Sequence, residues 1–141
     1  MSLTRRAALT LAVLPFAAAA SDDALNAAIR AEIGEATPQE GGITLRVPPV
    51  AENGGQVPVT VLVDSPQSAE RHVTAIHLFA TRNPTPGIAS FKLGPALARA
   101  EIQTRIRMAE NQTLVVLARM NDGSVQRATA EIRVATGGCL T

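Results

Sequence analysis

Between residues 43 and 135 apolar side chains recur at every second position, and glycine and proline interrupt the pattern every few residues. A period of two belongs to strands with one dry and one wet face, so this part of the chain can build sheets and little else. Ile43, Leu45 and Val47 alternate with Thr44 and Arg46 until Pro48-Pro49 ends the run. Asn53-Gly54-Gly55 turns the chain into 57–64, where Val57, Val59, Val61 and Val63 share one face. Leu62 adds apolar character to the other face, so this strand is expected to be covered on both sides. Ser65-Pro66 breaks it, and further strands are predicted at 73–80, 88–93, 101–108, 113–120 and 124–135. The breaks between them are Asn83-Pro84-Thr85-Pro86-Gly87, Gly94-Pro95 and the hairpin signal Asn121-Asp122-Gly123. Residues 113–120 are nearly all apolar and read as a central strand. In 124–135, Ala128, Ala130, Ile132 and Val134 face inward, with Arg127, Thr129, Glu131 and Arg133 outward.

About seven strands with frequent turns and no intervening helical stretch predict an all-β, immunoglobulin-like β-sandwich. Ahead of it, Leu25, Ala28, Ile29 and Ile33 recur at helical spacing, with Ser21 or Asp22 as the expected cap and Gly34 as the stop. The domain plan is therefore a targeting segment at 1–20, a helix and linker at 21–42, a sandwich at 43–135 and a tail at 136–141.

The targeting segment has the three parts of an export signal. Thr4-Arg5-Arg6 supplies positive charge, 7–20 is uncharged and mostly apolar, and Ala18-Ala19-Ala20 offers small residues for cleavage before Ser21. The run is shorter than the roughly 20 residues a membrane span needs, so no membrane anchor is expected. The paired arginines point to the twin-arginine route and a periplasmic destination. Loss of Arg5 and Arg6 leaves 11 basic against 12 acidic residues, a formal charge of −1. That balance lacks the footprint of a nucleic-acid binder. With Phe79 and Phe91 as its only aromatic residues, the mature domain has no stacking platform for bases.

Little in the sandwich points to catalysis or cofactors. His72 and His77 lie an odd five residues apart on a predicted strand, which puts them on opposite faces and away from a shared metal. No Gly-x-Ser-x-Gly elbow, P-loop, calcium loop or Cys/His cluster is present. Arg105 and Arg107 share a face that could bind an anion, although a solvated surface is their ordinary role. No catalytic residue, no resident cofactor and no metal site is expected.

The tail is different. Cys139 is the single cysteine, so it cannot form an internal disulfide, and an exposed thiol in an oxidising compartment calls for a role. Gly137-Gly138 before it confers wide backbone freedom, and six residues reach roughly 20 Å at 3.3–3.6 Å each. A thiol so placed can enter another protein's cleft while the folded body stays outside. A free cysteine has a pKa of about 8.5, so a partner must supply the activation. A tail that is incidental to a plain periplasmic interaction module, or a redox protein using Cys139 as a resolving thiol, are the competing readings. The second lacks a nearby cation, since Arg133 is the nearest basic residue.

Short motifs along the mature chain resemble one family. They are Glu52-Asn53-Gly54, Val57-Pro58-Val59, Val63-Asp64-Ser65-Pro66, His72-Val73 and Ile76-His77-Leu78-Phe79-Ala80. Asn83-Pro84-Thr85-Pro86, Thr104-Arg105-Ile106-Arg107-Met108-Ala109, Asp122-Gly123 and Gly137-Gly138-Cys139 continue the series. Together they are similar to SoxY, the carrier protein of sulfur oxidation. The resemblance implies a carrier rather than an enzyme, with Cys139 as the covalent sulfur attachment site and Gly137 and Gly138 as the hinge of a swinging arm. It implies a SoxZ-type β-sandwich subunit as heterodimer partner. The implied clients are a haem-containing enzyme that couples thiosulfate to the thiol, a sulfate-releasing hydrolase and a sulfane dehydrogenase. The family tail continues with glycines, whereas Leu140-Thr141 follow here, which keeps a SoxY-like paralogue with different clients open. Export by a route for folded proteins, without a cofactor site to require it, suggests that the chain travels already bound to its partner.

Overall fold

The computed structural model describes residues 17–135. The chain runs through α1 (Ala17–Ile33), β1 (Gln39–Glu40), β2 (Ile43–Arg46), β3 (Val50–Ala51) and β4 (Val57–Val63). It continues through β5 (Val73–Ala80), β6 (Gly87–Lys92), β7 (Ala100–Ile106), β8 (Gln112–Met120) and β9 (Val125–Val134). One sheet has the order β1-β9-β8-β5-β6, with β3 also pairing with β9, and the other has the order β2-β4-β7. Pairing is antiparallel except for β1 and β3, which lie parallel to β9. The seven longer strands are those the alternation predicts, and the fold is an immunoglobulin-like sandwich.

The core lies between the sheets. Val57, Val59, Val61 and Val63 of β4 meet Ile76 and Leu78 of β5 and Leu114, Val116 and Met120 of β8, all buried. Each such side chain contributes about 1.5–3 kcal/mol by leaving water. A second cluster covers the outer face of the larger sheet: Phe79, Val115, Leu117 and Val125 are buried under Leu25, Ala28, Ile29 and Ile33 of α1. β8 therefore has two dry faces, as expected for a central strand.

Three features differ from the sequence reading. β4 is not covered on both sides: Pro58 is exposed and Thr60 and Leu62 are half-buried, because α1 packs on the other sheet. α1 begins at Ala17, so Ser21 and Asp22 lie inside the helix rather than capping it. A run of alanines has the highest intrinsic helix propensity and carries the helix backwards. Its other end falls as expected at Gly34, whose φ of 64° suits a helix-terminating residue.

The segment 34–42 is also more than a connector. β1 joins the larger sheet and β2 the smaller one, so the chain must cross between them at Gly41-Gly42, where φ is 108° and 75°. Gly41 N–H donates to Arg127 O at 3.2 Å, and Gly42 O accepts from Asp64 N–H at 2.8 Å, one bond to each sheet. A side chain at Gly42 would meet the Gln126 amide at 2.5 Å. Glycine is the residue that can turn this corner.

Candidate functional site

Gly137, Gly138 and Cys139 lie outside the described residues, so the structure bears on them through the place where the tail leaves the domain. That place is the C-terminal end of β9. Arg133 N–H donates to Pro49 O at 3.0 Å and Ala135 N–H to Ala51 O at 2.9 Å, which pins the strand end to the β3 segment. On the opposite edge, Val134 N–H donates to Asn111 Oδ1 at 2.7 Å. A tail leaving Ala135 thus departs from a root held on both sides.

The loops around the root are tied together by side-chain amides. Asn83 Oδ1 accepts from Ala109 N–H at 3.0 Å and from Gln112 Nε2 at 2.7 Å, while Asn83 Nδ2 donates to Arg107 O at 2.8 Å. Gln112 is 7% exposed, and its Oε1 accepts from Arg82 N–H at 2.7 Å. Met108 N–H donates to Gly54 O at 2.7 Å. Buried amides whose partners are all in place fix the geometry of the loops they join. Residues 52–54, 83–86 and 107–109, scattered in sequence, meet at this one end of the sandwich.

Beside the root lies a groove of about 510 Å³, lined by Pro49, Val50, Arg82, Asn111, Glu131 and Arg133 among others. Val50 is 49% exposed, one of two large apolar side chains so exposed among the described residues. The arginines at 82 and 133 carry no ion pair among the described residues. Composition and alternation mark neither of them, since both read as ordinary outward charges. Arg105 lies opposite Pro58 on the exposed face of the smaller sheet, and Arg107 follows at the strand end, so neither faces this groove.

The two histidines stay apart. His72 precedes β5 with Nδ1 2.9 Å from Ser68 O. His77, 5% exposed, lies under α1 with Nδ1 2.7 Å from Ser90 Oγ and 3.4 Å from a Glu32 carboxylate oxygen. Burial pushes its pKa below the usual value, Glu32 opposes this, and Arg119 adds to it. Serine and carboxylate address the same ring nitrogen, whereas nucleophilic relay needs them on opposite nitrogens. The trio fastens α1 to the sheet. Among the described residues, no three His, Cys, Asp or Glu side chains gather as a metal would require, and no helix is long and apolar enough to cross a membrane.

Fold and root together define a small sandwich domain whose last strand ends, at Ala135, in a root braced on both sides. The family profile for "Sulfur oxidation protein SoxY" matches residues 29–139. The solved structure of the sulfur carrier protein SoxY from Chlorobium limicola f thiosulfatophilum is 35% identical and superposes with a TM-score of 0.68 over 82% of this chain and 99% of that one. The chain belongs to the SoxY family, whose members are sulfur carriers rather than catalysts. Superoxide reductase (neelaredoxin) from Ignicoccus hospitalis is 17% identical with a TM-score of 0.59 over 67% of this chain and 80% of that one. A putative superoxide reductase from Thermotoga maritima is 14% identical with a TM-score of 0.60 over 70% and 95%. At such identities these two share the fold alone. No curated protein sequence matches the chain.

Proposed function

We propose that this protein is a periplasmic sulfur carrier that holds thiosulfate-derived sulfur covalently on Cys139 and presents it to partner enzymes on an arm hinged at Gly137 and Gly138. The observation that carries the reading is the family match, which runs through residue 139 and so takes in Gly137-Gly138-Cys139. The braced root of the tail supports it, because an arm that visits other proteins needs a fixed origin. The export-like segment at 1–20 supports the compartment. The cysteine thiol bonds to the outer sulfur of thiosulfate, losing its proton while two electrons pass to the haem of a coupling enzyme. Water then cleaves the terminal sulfonate as sulfate in a hydrolase, leaving a persulfide for a sulfane dehydrogenase. A SoxZ-type subunit is the expected heterodimer partner, and the protein itself contributes no resident cofactor to these steps.

Intact mass spectrometry of the protein purified from cells grown on thiosulfate tests the reading. Thiosulfonate or persulfide additions that map to Cys139, disappear with reductant and are absent from Cys139→Ser are the expected result. A bare thiol under those conditions would refute it.

A further inference from the structure

We infer that the groove at the tail root is a parking site for the sulfonate end of the group carried on this chain's own Cys139. The inference rests on the carrier reading above and adds a second, non-covalent contact to it.

Three observations converge. The groove lies where the tail begins: Arg133, in its wall, is two residues from Ala135, the last described residue. Cys139 is four residues further on, about 13–14 Å of extended chain, so a group on its sulfur can return to the groove. Second, Arg82 and Arg133 both line the groove without an ion pair among the described residues. Asn111 lines it too, with its Oδ1 occupied by Val134 N–H and its Nδ2 available as a donor among the described residues. Planar guanidinium groups suit oxyanions with several oxygens, as a sulfonate has. Third, Pro49 and the exposed Val50 give the groove an apolar side against which sulfane sulfur can rest.

Glu131 also lines the groove, and Glu110 the adjoining hollow. Two guanidiniums against one carboxylate leave the groove itself positive, enough for a singly charged terminus. Exposed ion pairs of this kind bind a free anion weakly. A tether of a few residues, however, raises the local concentration to the millimolar range. That difference favours an occupant carried in cis over a free anion. A parked sulfonate withdraws the adduct from stray thiols until a client enzyme lifts the arm.

The adduct can be made chemically, independent of any client. The Cys139 thiolate attacks an inner sulfur of tetrathionate, a sulfur–sulfur bond forms, the central bond of tetrathionate breaks, and thiosulfate leaves with the electron pair. Amide NMR spectra of the isotope-labelled protein, in the assembly in which it purifies, are then compared before and after loading, with a neutral iodoacetamide cap as control. Loading is expected to shift Arg82, Asn111 and Arg133. The cap should leave them in place, and the double variant Arg82→Gln/Arg133→Gln should lose the shift. Reduction of the adduct by dithiothreitol should quicken in that variant by roughly threefold to tenfold, the range that two exposed pairs supply. The difference should vanish in 1 M salt, where charges are screened within about 3 Å.

Shifts confined to residues 136–141, or equally produced by the neutral cap, overturn the inference. So does a Cys139→Ser protein that shows the full shift with submillimolar free thiosulfate, since the groove would then be a free-anion site. A bare Cys139 in native cells defeats the carrier reading instead, and leaves the response of the chemically loaded protein to be read on its own.

Discussion

Among the described residues, His77 is the one titratable side chain that the fold buries in a way that couples pH to stability. A carboxylate at 3.4 Å would favour the protonated ring, yet Glu32 is 43% exposed and largely solvated, and burial outweighs it. The ring is therefore neutral near pH 7. In the unfolded chain a histidine titrates near pH 6.5, and in the folded chain it resists protonation. Its contribution is thus fully present above about pH 6.5 and is lost as pH falls below it, with a slope of at most about 1.4 kcal/mol per unit. Urea unfolding at pH 7.5 and pH 5.5 should show a larger loss for wild type than for His77→Gln, which keeps a polar partner for Ser90. Superimposable profiles would contradict the assignment of a neutral ring. At this scale the sequence is legible in part. An odd residue in β5 must face away from Ile76 and Leu78, but which polar groups wait there depends on Ser90 and Glu32, 13 and 45 residues away in the chain.

Among the elements, β4 and β8 read alike in sequence and differ in the fold. Both are runs of valine and leucine, but α1 covers the outer face of the sheet that holds β8, while Thr60 and Leu62 of β4 meet solvent in part. Composition cannot assign a single helix to one of two sheets; the stripe of Leu25, Ala28, Ile29 and Ile33 needs an apolar partner, and Phe79, Val115 and Leu117 supply it. Leu117→Ala should cost about 2–4 kcal/mol, the range for a buried leucine left as a cavity. Leu62→Ala should cost under about 1 kcal/mol, as surface changes do. Denaturant melts of the two variants measure the contrast. Equal losses would mean that the outer face of the β2-β4-β7 sheet is covered in solution. The strands β1 and β3 escaped the sequence reading for a simpler reason: two residues each cannot display a period. The Gly41-Gly42 corner was visible as a glycine pair, and its job of passing the chain between sheets needed the register of both.

Seen as a whole, the molecule gathers distant segments at one end. Glu52-Asn53-Gly54, Asn83-Pro84-Thr85-Pro86 and the Arg107-Met108-Ala109 end of another motif were legible as a resemblance, but only the packing shows that they surround the root of the tail. The bonds that hold Val134 and Ala135 belong to the sandwich, whereas the hinge of the proposed function, Gly137 and Gly138, follows beyond the described residues. That separation makes a prediction. Replacing Gly137 and Gly138 together with proline fixes two φ angles near −65° while touching no bond of the sandwich described above. Folding stability should stay within about 0.5 kcal/mol of wild type. Reaction of Cys139 with a small disulfide reagent should be unchanged, because such a reagent reaches the thiol from any direction. Loading by the thiosulfate-coupling enzyme should slow by roughly tenfold or more, since an arm that enters a cleft must present its sulfur within about an ångström. The pairing of the two rates is what discriminates. If both fall together, the prolines have hidden the thiol, and if neither falls, the glycines are no hinge and the enzyme takes the tail in whatever shape it arrives.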